Sequence, residues 1–315
     1  MTLRFSNAVK RSWDMFTASW AGEPQTLTLE QITESRGWVR DRLDLHKVLA
    51  RREVAEFEGL RLEYYLSPKP SNWTILALPG LGLYSELSAH FYEAMSQQGY
   101  NVLAVDPPGH GFSAGDRGDY DVDAFVGQLS RVIDVYAKAK PDARWCALGY
   151  SIGAPIALTL AESDSRIDAS VGVTLLMPEL APSLWHRAGW QWLTQVATLA
   201  PNARMSLDQL LGASRLPASP QSRALADDPM IVRAYPTRTL DSLYSQKHAT
   251  LTGPMDFRSL IVHGEQDAVL PLSYSERIQK EATHFFDLRS MAGDHFIGWS
   301  KPVELAETIA DWLGE

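Results

Sequence analysis

Five short apolar runs, each stopped by glycine, proline or a polar turn, constrain this chain most: TILALPG (74–80), NVLAVDPPG (101–109), RWCALGYS (144–151), ASVGVTLLMP (169–178) and RSLIVHGEQD (258–267). A strand with one wet face alternates apolar and polar residues. These runs do not alternate, so both of their faces must be covered. Between them lie stretches with helical spacing, near 86–98, 121–139, 152–162 and 273–281, followed by the strand THFFDLRSM (283–291) and a last helix over 302–313. Upstream, VAEFEG from Val54 and LRLEYYL from Leu60 meet at Glu58-Gly59, a hairpin signal. Eight strands result, in an α/β arrangement with a mostly parallel sheet and helices on both faces.

Two segments stand outside this rhythm. Residues 1–53 predict an N-terminal helical extension, with helical spacing over 28–50 and Gly37 as its weak position. Residues 179–257 follow the sixth strand and carry Trp185, Trp190 and Trp192, several prolines and helical patterns, but no convincing strand. They predict a helical insertion dividing the α/β core into 54–178 and 258–315.

The net charge of -9 is unevenly placed: outside the extension and the insertion, 13 basic residues face 25 acidic ones. An acidic core excludes nucleic acid as a natural partner, because phosphates must be neutralised by Lys and Arg. Cys146 is the single cysteine, so neither an internal disulfide nor a cysteine-based metal site is available, and no metal or organic cofactor is implied. The first twenty residues lack an uninterrupted apolar stretch, and no run is long enough to suggest a membrane span; a cytoplasmic protein is the expectation.

The chemistry concentrates at Gly149-Tyr150-Ser151-Ile152-Gly153. A Gly-x-Ser-x-Gly pattern arises by chance in about one chain in ten of this length. Here it joins a buried strand to the small-residue helix IGAPIALTLA, the context a nucleophile elbow demands. A serine hydroxyl needs an adjacent base. His295, in the loop after the last strand, falls at the same carboxyl edge of the sheet, whereas His110 and His263 suit structural roles better. Asp267 ends its strand at that edge and is the expected orienting acid, with Glu179 as the alternative; Asp294 is expected to cap its own loop. The order Ser, Asp, His fits the same design. Donors for an oxyanion are expected from the backbone of Ile152 and of Leu81, in Pro79-Gly80-Leu81-Gly82. Gly80, Tyr150, Trp185, Trp190 and Trp192 are the expected substrate-binding residues.

Together these residues resemble the α/β-hydrolase superfamily over roughly 54–315. The loop Asp106-Pro107-Pro108-Gly109-His110-Gly111-Phe112-Ser113, followed by Gly115-Asp116-Arg117-Gly118, is similar to the monoacylglycerol lipase and lysophospholipase branch, as is Asp228-Pro229 late in the insertion. Pro79 stands where that branch usually has His, and Tyr150 and Ile152 replace its usual neighbours of the nucleophile. The resemblance implies the α/β-hydrolase fold, with the insertion as a cap over an acyl-binding cleft. It also implies an ester hydrolase acting on a hydrophobic small-molecule acyl substrate through an acyl-enzyme. An acyltransferase, thioesterase or small peptidase could use the same three residues. A non-catalytic binding protein is the remaining alternative, and a homo-oligomer could form through the extension.

Overall fold

The computed structural model describes residues 20–21, 28–206 and 228–315. The remaining parts of the expected extension and insertion lie outside the described residues. Eight strands form one sheet: β1 (Glu53–Phe57), β2 (Leu60–Tyr65), β3 (Trp73–Leu78), β4 (Asn101–Val105), β5 (Arg144–Tyr150), β6 (Ile167–Val173), β7 (Arg258–Gly264) and β8 (Phe286–Met291). Their order is β8-β7-β6-β5-β3-β4-β2-β1. The β1–β2 and β2–β4 pairs are antiparallel and all others parallel.

The continuous apolar runs are buried on both faces. Leu76, Leu78, Leu103 and Val105 point into one core, and Ile75, Ala77, Val102 and Ala104 into the other. On the first side pack helices α3 (Val122–Ala139) and α4 (Gly153–Ser163), and on the second α2 (Ala89–Gln97) and α8 (Pro302–Gly314); α7 (Leu272–Glu281) precedes β8. The hairpin between β1 and β2 turns at Glu58 and Gly59, both with positive φ, as a two-residue turn between twisted strands requires.

Three differences from the sequence expectation change the path of the chain. The strand expected to run to 178 stops at Val173, because Thr174 adopts φ 54 and turns the chain out of the sheet. The helix expected over 28–50 is broken at Asp44 (φ 50), not at Gly37. The break leaves α1 (Leu29–Arg42) and a short helix His46–Leu49, and it lets Leu45, Val48 and Leu49 turn onto the core. Within 179–257, helices α5 (Leu184–Leu199) and α6 (Thr237–Tyr244) are joined by two short strands, Arg204–Ser206 and Ala234–Pro236. These strands pair antiparallel with each other, and the first also pairs with Trp20–Ala21. Three residues are too few to register as a periodic pattern, so neither strand is visible in the sequence.

The described part of the extension packs on its own chain. Val39 joins Tyr84, Leu87, Met230 and Ile231 in a small apolar cluster. Beside it, Glu86 accepts hydrogen bonds from both Arg40 and Arg52, and Arg52 also pairs with the fully buried Glu63 at 3.1 Å. Among the described residues, no helix is long and apolar enough to cross a membrane.

Removing one member of a buried ion network leaves the others uncompensated. Glu86→Ala is therefore expected to lower the unfolding free energy by about 3 kcal/mol in urea denaturation.

Candidate active site

Ser151 sits at the centre of the sheet. β5 is flanked by β3 and β6, and the Ser151 N–H continues the ladder by donating to the Val173 carbonyl at 2.8 Å. Ser151 then takes φ 52, and the chain reverses directly into α4. This turn is possible only with glycine on either side. A Cβ on Gly149 would lie 2.1 Å from the Gly153 carbonyl oxygen, and one on Gly153 would lie 2.4 Å from that of Pro79. The two glycines of the motif thus have a steric cause, and the second brings the Pro79–Gly82 loop against the elbow.

His295 follows β8 and precedes the short helix Ile297–Ser300. Its Nε2 lies 3.1 Å from Ser151 Oγ and its Nδ1 lies 2.7 Å from Asp267 Oδ2. An ionised carboxylate only accepts, so Nδ1 carries the proton and Nε2 is left to accept from Ser151. Asp267 follows β7, and its other oxygen takes the N–H groups of Val269 (2.7 Å) and Leu270 (2.9 Å). Burial alone would raise the Asp267 carboxyl. The hydrogen bond and charge of His295, with the two N–H groups, outweigh it and hold the carboxyl below its ordinary range.

Glu179 is placed elsewhere. It accepts from the backbone N–H of His248 at 2.5 Å and lies 3.1 Å from that ring's Nδ1, tying the start of the insertion to a residue near its end. Asp294 accepts from the Phe296 N–H at 2.9 Å, a cap of its own loop. His263 is buried between Leu270 and Ser275. His110 is buried too, with Nδ1 3.0 Å from the Pro108 carbonyl; burial foremost pushes its pKa down to about 3.

Ile152 is buried beside the elbow and the half-buried Leu81 packs against the same core; among the described residues no acceptor takes the N–H of either. Gly80 lies under the ring of Tyr150: a Cβ there would meet Tyr150 Cδ1 at 3.3 Å. Tyr150, also expected to touch substrate, is packed beneath the histidine loop. Its hydroxyl donates to the His295 carbonyl, and its ring meets the imidazole edge-on.

The three tryptophans do not converge. Trp185 and Trp192, seven residues apart on α5, share a face and are 87% and 41% exposed. Trp190 lies on the other side of the helix, stacked on Tyr244 at 5.1 Å. Sequence reasoning missed Thr174, whose hydroxyl lies 3.3 Å from Asp267 Oδ2. A β-branched residue with positive φ leaves no mark in a sequence; only its place just after a buried strand hints at it.

The sheet order and the serine on its strained turn define the class: this chain is an α/β-hydrolase, a serine hydrolase. It belongs to the family described as serine aminopeptidase, S33, whose model matches residues 69–288. No curated protein sequence matches the chain. Among solved structures it is similar to a soluble variant of monoglyceride lipase from Saccharomyces cerevisiae in complex with a substrate analog. That pair has 18% identity and a TM-score of 0.65, covering 83% of this chain and 94% of the other. It is also similar to the monoacylglycerol lipase of Paleococcus ferrophilus (21% identity, TM-score 0.60, 81% and 98% covered). A third likeness is to a thermostable carboxyl esterase from Bacillus coagulans bound to glycerol (16%, 0.65, 84% and 97%).

The depressed pKa of His110 has a pH signature. Its folded value lies below the ordinary 6.5, so its contribution to stability is complete above pH 6.5 and is lost as pH falls toward 3. In urea denaturation, the stability difference between the wild type and His110→Gln is expected to stay constant above pH 6.5 and to move against the wild type as pH falls below it.

Proposed function

We propose that this protein hydrolyses a carboxylic ester of a hydrophobic acyl group, with Ser151, His295 and Asp267 as its catalytic triad. The observation that carries this reading is the single imidazole bridging a serine hydroxyl at 3.1 Å and a buried carboxylate at 2.7 Å. His295 Nε2 takes the Ser151 proton as Oγ bonds to the ester carbonyl carbon, and Asp267 stabilises the imidazolium. The N–H groups of Leu81 and Ile152 receive the oxyanion. When the tetrahedral intermediate collapses, the C–O bond to the alcohol breaks and the alcohol leaves with the proton from His295. Water then gives a proton to His295 and attacks the acyl carbon. The carboxylic acid departs as Ser151 regains its proton.

An apolar acyl group suits the surroundings. Leu81, Ile152, Leu176, Leu193 and Val269 belong to one apolar cluster that extends from the elbow to α5. Monoglyceride lipase and carboxyl esterase among the structural neighbours point the same way. The family's aminopeptidase description favours a second substrate, a peptide bond at an amino terminus. The same triad could open that bond, so the assay must include it.

A fluorophosphonate probe is expected to label the wild type and not Ser151→Ala. Among p-nitrophenyl esters of increasing acyl length, longer acyl groups should be preferred to acetate, with alanine p-nitroanilide turned over far more slowly. Asp267→Asn should lower kcat by about 10^4, because the wrong imidazole tautomer is then favoured. An unlabelled wild type would overturn the triad, and faster turnover of the anilide would make the protein a peptidase.

A further inference from the structure

The loop Gly80–Leu83 is a β-turn closed by the Leu83 N–H donating to the Gly80 carbonyl at 3.0 Å. Leu81 and Gly82 are its central residues, and Gly82 has φ +77, the mark of a type II turn. The Leu81 N–H, the proposed oxyanion donor, belongs to the Gly80–Leu81 peptide of this turn, so the place of the turn against the elbow sets where it points. Such a donor works only if its position and direction are fixed before the reaction.

Both backbone groups of Gly82 are held by residues late in the insertion. Its carbonyl accepts from the Val232 N–H at 3.0 Å, and its N–H donates to the Tyr235 hydroxyl oxygen at 2.7 Å. Tyr235 is fully buried, and its hydroxyl also lies 2.5 Å from His110 Nε2. The proton positions follow from the partners. The Pro108 carbonyl only accepts, so His110 Nδ1 carries the hydrogen and Nε2 accepts. Gly82 N–H only donates, so the Tyr235 oxygen accepts from it and sends its own proton to His110. A neutral imidazole is required throughout, which agrees with its pKa of about 3.

We infer that Tyr235, oriented by His110, is a positioning residue that anchors the turn at Gly82 and so holds the neighbouring Leu81 oxyanion donor against the elbow. The inference rests on the proposed triad chemistry. It gives a residue of the insertion a part in the reaction without contact with substrate. It also explains the buried histidine of the Gly-His-Gly segment, which the triad does not use.

Tyr235→Phe keeps the ring and removes the hydroxyl. With the p-nitrophenyl ester that the wild type hydrolyses fastest, kcat should fall by about 10- to 100-fold, less than or equal to the loss of a whole oxyanion donor. KM should stay within about twofold, because ground-state contacts are untouched. Inhibition by phenylboronic acid, which forms a tetrahedral adduct on the serine, should weaken by the same factor as kcat. His110→Gln can accept from Tyr235 and donate to Pro108, so it should retain at least about a third of kcat. His110→Leu should lose as much as Tyr235→Phe and carries the test if that variant does not fold.

A folded Tyr235→Phe or His110→Leu with kcat near the wild-type value would overturn the inference. So would a loss confined to KM. In ¹⁵N-glycine-labelled wild type, the Gly82 amide should exchange at least about 100-fold more slowly than an open loop amide. Exchange at the open rate would also overturn it, whatever the assays give. An inactive, unlabelled wild type whose Gly82 amide is protected would instead defeat the triad chemistry and leave the anchored turn standing.

Discussion

Close packing around one strained residue governs the rest of this molecule. Ser151 sits at φ 52, a conformation that costs of order 1–3 kcal/mol for a residue with a side chain. The surroundings over-determine it. Its N–H is locked into the central ladder with Val173, and α4 begins two residues later. The absent side chains of Gly149 and Gly153 let the helix, the strand and the Pro79 carbonyl approach within distances no Cβ would permit. Because β5 is paired on both edges and buried on both faces, the strain cannot relax by moving the strand.

From that fixed point the other groups are placed by loops, each tied down by polar contacts. Asp267 spends one oxygen on two backbone N–H groups and offers the other to His295. The histidine backbone is held by the Tyr150 hydroxyl, which comes from the residue just before Ser151. One side chain therefore couples the Ser151 turn to the His295 loop. Thr174, bent out of β6, closes the group from the neighbouring strand. The ties from His295 to Asp267, from Thr174 to Asp267 and from Tyr150 to His295 join residues distant along the chain.

The extension and the insertion meet over the same edge. Val39 of α1, Tyr84 beyond the Gly80–Leu83 turn, and Met230 and Ile231 of the insertion share one apolar cluster. Arg40 and Arg52 converge on Glu86, which stands just after that loop. The extension thus braces the segment that carries Leu81. The expectation that it forms a helix placed Leu29–Arg42 well but could not say what the helix rests on.

Legibility followed the range of the interactions. The eight strands and the Gly-x-Ser-x-Gly turn are written in local pattern: apolar runs because both faces are buried, glycines because backbone must pass close by. Ser151, His295 and Asp267 could be named because each falls just beyond a strand, at the carboxyl edge of one sheet. The short strands at 204–206 and 234–236, the break at Asp44 and the positive φ of Thr174 left no periodic trace. Nor could a tryptophan count tell that Trp185 and Trp192 face outward while Trp190 packs inward. The sequence by itself determined the sheet, the elbow and the candidate residues, because those depend on hydrophobic period and steric size. Only the tertiary structure decided that Glu179 belongs to His248 and that Tyr235 holds Gly82, because hydrogen bonds between residues far apart in the chain depend on where folding brings them together.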